Sequence, residues 1–324
     1  MFASTTWGRA AGIAAGCIAD WLLGDPRHGH PVALFGRGAA ALERATYADS
    51  RTAGALHTGV LLGLLGVLGV AAGRAGARRG PLGSAAVTAA AVFVALGGTT
   101  LTRTGSAMAD HLQNGDLDAA RRLLPSLCGR DPAVLDAAGL TRAAVESIAE
   151  NTSDAQVAPL WWAAVGGVPA VLVYRGANTL DAMIGNRSAR YVQFGWAAAR
   201  FDDLVNYLAA RATAVLVAVC APVVGGSPAG AVRSWRRDAA RHPSPNAGVV
   251  EAAFAGALGV QLGGPTQYAY ELEIRPTLGD GRAPQVSDLA RAVRLSRAVQ
   301  VAAAGAAVAL SAVGRTGRRA CPPC

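Results

Sequence analysis

Long apolar runs separated by arginine-rich polar stretches set the plan of this chain. Residues 53–73 and 81–101 are each long enough to cross about 30 Å of hydrocarbon, and the short link Arg74-Ala-Gly-Ala-Arg78-Arg79-Gly80 predicts a hairpin between them. Residues 203–224 form another candidate span, and the Ala-rich stretch 297–313 the last. Residues 9–24 are apolar but lack a signal-peptide cleavage pattern and are interrupted by Asp20; they predict a short membrane-associated helix that stays on the protein. A turn-rich loop, Leu23 to Val32, leads into a helix over 32–47. Residues 102–156 read as polar helices with an amphipathic piece at 105–124 and a turn at Cys128-Gly-Arg-Asp-Pro132, and 142–159 as one helix ended by Pro159. Residues 176–202 are polar, and 225–296 read as a long loop rich in Arg, Pro and Gly. The expected fold is all-α: a polytopic integral membrane helical bundle with cytoplasmic loop helices. One membrane-embedded domain is expected over 1–314, with 315–324 as a flexible tail.

One apolar segment breaks the pattern. Residues 157–175 are long enough to span, yet Gly166, Gly167 and Pro169 sit in the middle, where they can break a helix. Irregular backbone at membrane depth is tolerated when buried in protein or lining a cavity. A broken or re-entrant helical hairpin is therefore expected here; an ordinary span is the alternative that length permits.

Composition supports the membrane reading. Of 324 residues, 52% are hydrophobic and 16% charged, where soluble domains carry about 25% charged residues. The net charge is +9, and every basic residue is Arg. The absence of Lys excludes Schiff-base chemistry and a P-loop. Scattered arginines with few aromatics argue against nucleic acid; anionic lipid or an anionic substrate suits them better. Loops 25–52, 102–156 and 225–296 hold 4, 5 and 8 Arg, against 3 each in the hairpin link and the tail, which places the first set in the cytoplasm and the protein in the inner (cytoplasmic) membrane. Cys17 and Cys220 lie in apolar runs as packing residues. Cys321-Pro-Pro-Cys324 is a single CxxC, a weak metal signal.

Four polar constellations carry candidate chemistry. Asp20, Gly24-Asp25-Pro26 and His30-Pro31, with His28 nearby, could hold a metal or phosphate, or be a surface turn. Glu146, Glu150 and Asp154 fall at i, i+4 and i+8, on one helix face with Arg142 a turn earlier; the plain alternative is a solvated face with an i, i+4 ion pair. Asn151-x-x-Asp154 is echoed by Asn178-x-x-Asp181, beside Arg175, Arg187 and Arg190-Tyr191, and then by Asp202, Asp203 and Asn206. Oxygen ligands at such spacing suit Mg²⁺, and the arginines suit phosphate. Lastly, Arg241-His242-Pro-Ser-Pro-Asn246-Ala-Gly248, followed by Glu251, is a loop of defined shape ahead of an apolar helix.

Taken in order, these stretches resemble one family. Leu23-Gly-Asp-Pro with His30-Pro-Val, Glu146-Ser-Ile-Ala-Glu-Asn-Thr-Ser-Asp154, Tyr174-Arg-Gly-Ala-Asn-Thr-Leu-Asp181, Phe194-Gly-Trp-Ala-Ala-Ala-Arg-Phe-Asp-Asp203 and His242-Pro-Ser-Pro-Asn-Ala-Gly248 are similar to the CobD/CbiB cobalamin-biosynthesis proteins. So are Ala252 to Gly264, Arg275-Pro276 and Leu278-Gly-Asp280; the resemblance runs from about 16 to 296. Ala155 departs from the Gly usual there. The resemblance implies adenosylcobinamide-phosphate synthase, an ATP-dependent ligase joining aminopropanol or its phosphate to a propionate of adenosylcobyric acid. It implies ATP and Mg²⁺ as ligands, the corrinoid and the amine as substrates, membrane lipid as surroundings, no nucleic acid, and contact with later corrinoid-pathway membrane enzymes. From residue type and spacing, Glu146, Glu150, Asn151, Asp154 and His242 are expected to be catalytic. Asp25, His30, Arg175, Asn178, Arg187, Arg200 and Asn246 are expected to bind substrate and phosphate, and Glu150, Asp154 and Asp181 to hold metal. The competing classes are a Mg²⁺-dependent membrane prenyltransferase-like enzyme, for which the His-Pro-Ser-Pro-Asn loop has no place, and a transporter, scaffold or non-catalytic corrinoid-binding protein.

Overall fold

The computed structural model describes residues 2–26, 29–267 and 272–313. In chain order the helices are α1 Phe2–Leu23, α2 Pro31–Thr46, α3 Arg51–Arg78, α4 Gly80–Ala95, α5 Gly98–Gln113, α6 Leu117–Leu123, α7 Ala137–Thr152, α8 Ala158–Ile184, α9 Tyr191–Phe194, α10 Trp196–Cys220, α11 Pro228–Asp238, α12 Ala247–Leu258 and α13 Val286–Val313. Strands β1 Leu262–Gln267 and β2 Leu272–Leu278 pair antiparallel between α12 and α13. Their ends follow local chemistry. Ser50, Asp116, Asp136 and Ser227 cap helix N-termini by accepting from Ala53, Ala119, Gly139 and Gly230 N–H groups. Pro31, Pro81 and Pro228 stand in first turns, where no N–H is missed. Among the described residues five helical stretches are long and apolar enough to cross a membrane, so the chain is a multi-pass membrane protein. Exposed Leu56, Val60, Leu64, Val67 and Leu68 give α3 the outward apolar face that lipid requires.

The chain divides into two compact units, each assembled from separated stretches. The first comprises residues up to 97, 158–205 and those from 303. Here α1 runs parallel to α4. Gly8, Gly12 and Gly16, four apart, meet Ser84, Thr88 and Val92 so closely that an added Cβ would come within 2.8, 2.5 and 2.8 Å of them. Small residues at this spacing let two backbones approach without hydrophobic drive from water. The second half of α8 lies along α3, with Gly69 against Pro169 and Gly176 against Leu62 and Leu65. The expected break in α8 is present: Gly167 has φ 67° and ψ −154°, and Pro169 follows. Trp162 before the break and Tyr174 after it line one cavity of about 290 Å³ with Phe201 and Val205.

The second unit comprises 98–157 and 206–302. α12 is its core: Ala247 through Ala255 are all buried. Two buried aspartates clasp the periphery. Asp238 accepts from Arg237 and from Gly279 N–H, and Asp288 from Arg282, Arg291 and Gln285 N–H.

Three expectations on local structure need correction. Residues 225–296 are not a loop but hold α11, α12 and the hairpin. Gly263, Gly264, Pro265 and Pro276 read as strand breakers, yet two strands alone leave edge positions whose N–H is not needed, and Gly263 and Gly264 take φ of 80° and 83° at a bulge. The run 81–101 is not one helix: it breaks at Leu96-Gly97. Lastly, Pro159 does not end a helix. α7 stops at Thr152, a π-helical turn covers Ser153–Val157, and Pro159 stands in the first turn of α8.

Candidate functional site

The second unit gathers a buried group of charges around α7. Glu146 is not on a solvated face and does not pair with Arg142, which instead donates to Pro265 O. It is buried, accepts from the buried Arg130 guanidinium through Oε2, and accepts from Gly263 N–H at 2.7 Å through Oε1. Ser147 ties the same turn to Leu127 O at 2.6 Å, and Asn151 Nδ2 donates to Ser147 O at 3.0 Å. Glu150, one turn on, keeps its side chain exposed. Asp154 is half-buried in the π turn, which is pinned on both sides. Thr152 Oγ1 and Gln156 Nε2 donate to Ser296 Oγ at 2.7 and 2.9 Å, and Ser153 meets Thr213 at 3.3 Å. π turns inserted in helices are frequent at functional sites because they re-aim one side chain.

α12 adds Glu251, which is 1% exposed. Burial, and then the Glu146 and Glu150 carboxylates, push its pKa well above the usual carboxylate range. Its surroundings therefore favour the neutral form. The His242 loop enters the same group. His242 is 8% exposed, and burial together with the Arg275 guanidinium lowers its pKa, so the ring is neutral. Ser244 serves either tautomer, with its N–H 3.1 Å and its carbonyl 3.2 Å from Nδ1. Nε2 is buried with no hydrogen-bond partner among the described residues, so it is left to donate to or accept from a ligand. Asn246 Oδ1 accepts from Arg211 at 2.9 Å, which fixes the far end of this loop.

The first unit holds the other expected residues, five of them in three pairs. His30 caps α2, accepting from Val32 N–H at 3.2 Å through Nδ1, with Nε2 3.6 Å from Asp25. Arg175 donates to Asn178 at 3.3 Å, and Asp181 lies half-buried on the same helix. Arg200 reaches Asp203 at 3.4 Å, and Arg187 is exposed. Arg190 and Tyr191 hold the fold together, since both donate to Glu43, at 2.9 and 3.1 Å, while Tyr47 donates to Arg190 O. Among the described residues no three His, Cys, Asp or Glu side chains are gathered as a protein-only metal cage needs. Mg²⁺ commonly takes one or two carboxylates and completes its shell with phosphate oxygens and water; Glu150 and Asp154 supply that many. Asp181 belongs to the other unit.

With this geometry in hand, comparison with known proteins gives a consistent result. The family model described as CobD/Cbib protein matches residues 13–296. The chain belongs to this family. A relative from Mycobacterium tuberculosis, described as cobalamin biosynthesis protein CobD, is 67% identical over 310 residues, covering 96% of this chain and 98% of its own. Relatives with the same description from Geobacter metallireducens and Chromobacterium violaceum are 44% and 42% identical, covering 84% and 86% of this chain and 87% and 89% of theirs. No solved structure matches. The matched region contains every expected site residue. It also contains Ala155, whose methyl group is buried in the π turn; no described residue other than glycine has positive φ, so the position does not demand glycine.

Arg130, Glu251 and Arg275 were missed as site residues. Glu251 left a legible signal: it is the one charged residue in the apolar stretch Ala247–Leu258. Arg130 and Arg275 left none: Arg130 pairs with Glu146 from the turn before α7, and Arg275, paired with Glu273 in β2, acts on Glu150 and Glu251 through its charge.

Proposed function

We propose that the chain carries out a ligase step of cobalamin biosynthesis: ATP-driven amide formation between aminopropanol, or its phosphate, and a propionate carboxylate of adenosylcobyric acid, at the cytoplasmic membrane. The observation that carries this proposal is the buried group of Glu146, Glu251, Arg130 and His242, with half-buried Arg275 and exposed Glu150 beside it, all within the region the family model matches. A carboxylate accepts a nucleophile poorly, so its oxygen would first take the γ-phosphoryl group of ATP, releasing ADP, to give an acyl phosphate; the amine nitrogen would then attack the acyl carbon and phosphate would leave. Arg130 and Arg275 would offset the anionic charge that this sequence of steps concentrates. Neutral His242, with Nε2 unoccupied and its ring held by Ser244, would take the proton that the incoming ammonium must lose. Protonated Glu251 would donate a hydrogen bond without adding charge. Glu150 and Asp154 would hold Mg²⁺, which when bound neutralises the ATP phosphates.

The test is direct. Purified protein in detergent, given adenosylcobyric acid, ATP, Mg²⁺ and either amine, should yield the amide, read by mass spectrometry. Corrinoid binding without amide formation would overturn the ligase reading and leave a binding protein; release of diphosphate from a prenyl diphosphate would favour the prenyltransferase-like class.

A further inference from the structure

A second cavity, of about 310 Å³, lies wholly within the first unit, at the α3–α4 hairpin end. Arg9 of α1, Arg74 of α3, Ser84 and Thr88 of α4 and the α8 break at Gly167 line it, and no Asp or Glu does. The Arg9 guanidinium donates to Ala164 O at 3.2 Å, in the half-helix before the break. A Cβ on Gly167 would come 3.1 Å from that guanidinium, so the glycine, at φ 67°, both turns the chain and leaves room for Arg9. Neither arginine has a carboxylate partner among the described residues, and Arg74 makes no hydrogen bond or ion pair there. The second half-helix starts at the same wall, and the first N–H groups of a helix lack acceptors within it.

Two guanidinium groups with no carboxylate partner among the described residues, set beside Val70, Val87 and Val168, form a site that an anion would complete. Arginine forks match phosphate oxygens two at a time. From this we infer that the Arg9–Arg74 cavity binds the phosphodiester headgroup of an anionic phospholipid. The hairpin link joins two of the helical stretches long and apolar enough to cross a membrane, which puts Arg74 and its neighbours at headgroup depth. Val67 and Val70 on α3, 70% and 38% exposed, with Val70 itself lining the cavity, give acyl chains an apolar surface to follow; free phosphate would use none of it. The glycines at 166 and 167 thus do more than bend α8: they bring a helix start and an arginine to one lipid headgroup.

Retained lipid can be counted by native mass spectrometry after the full chain is reconstituted in nanodiscs and extracted into detergent. Wild type from phosphatidylglycerol discs should keep one lipid per chain, and from phosphatidylcholine discs none. Arg74→Gln should lower phosphatidylglycerol retention at least tenfold; because Arg74 is exposed and unpaired among the described residues, its loss should leave the thermal midpoint in lipid-free detergent unchanged. Ser84→Asp, which places a negative charge in the cavity, should do the same without removing an arginine. Millimolar inorganic phosphate should not displace the lipid. Equal retention of the two lipids, unchanged retention in both variants, or displacement by inorganic phosphate alone would each overturn the assignment.

Discussion

Two carboxylates with opposite surroundings mark the residue scale. Asp154 is half-buried where the helix is re-aimed by a π turn that neighbouring Ser, Thr and Gln side chains hold in place. Asp154→Asn keeps shape and removes charge, so the protein should fold and extract normally while turnover falls by orders of magnitude; near-normal turnover would end the metal role of this residue. Glu251 is the reverse case, a buried acid whose surroundings favour its neutral form. Its folded pKa lies above its unfolded value, so its contribution to stability is full below the unfolded pKa, about 4.3, and is lost as pH rises through the folded pKa. Glu251→Gln copies the protonated shape. The thermal midpoint of the variant should therefore match wild type near pH 4 and exceed it increasingly as pH rises to 8; a gap that does not change with pH would place the proton elsewhere.

At the scale of elements, α8 is the informative case. Gly167 and Pro169 mark its break in the sequence and in the structure, because one needs no Cβ and the other has no N–H. Both facts are local, and a reader of the chain can find them. The topological consequence belongs to the membrane: if the segment turns back, Ser153 and Ser188 share one side. Single cysteines at these positions in a cysteine-free background, treated in intact cells with an impermeant thiol reagent, should both stay unlabelled until the membrane is opened. Labelling of Ser188→Cys alone in intact cells would establish an ordinary span. The β-hairpin shows the opposite situation. Its glycines and prolines carry the composition of a loop, and only pairing with the partner strand turns Leu262–Gln267 into a strand.

On the scale of the whole molecule, the tail offers a clean check. Residues 315–324, with Cys321 and Cys324, lie beyond the described residues and beyond the family match, which ends at 296. Being polar, Arg- and Pro-rich and past the last span, the tail should be dispensable: its deletion should leave amide formation in vitro intact, and joint loss of bound metal and activity would show that the CxxC pair matters. The sequence by itself determined that this chain lives in a membrane, where its apolar runs start and stop, and which stretches are candidates for chemistry, because span length, helix breakers and clusters of acids are local properties. It also determined the family, since long motifs in fixed order are one-dimensional information. Tertiary structure alone decided how those stretches are partnered. Glu146 is neutralised by Arg130 and Gly263 rather than by Arg142, Arg190 serves Glu43, and burial, with the carboxylates of another helix, raises the pKa of Glu251. Burial and charge pairing depend on distances between residues far apart in the chain, and no spacing along the chain contains them.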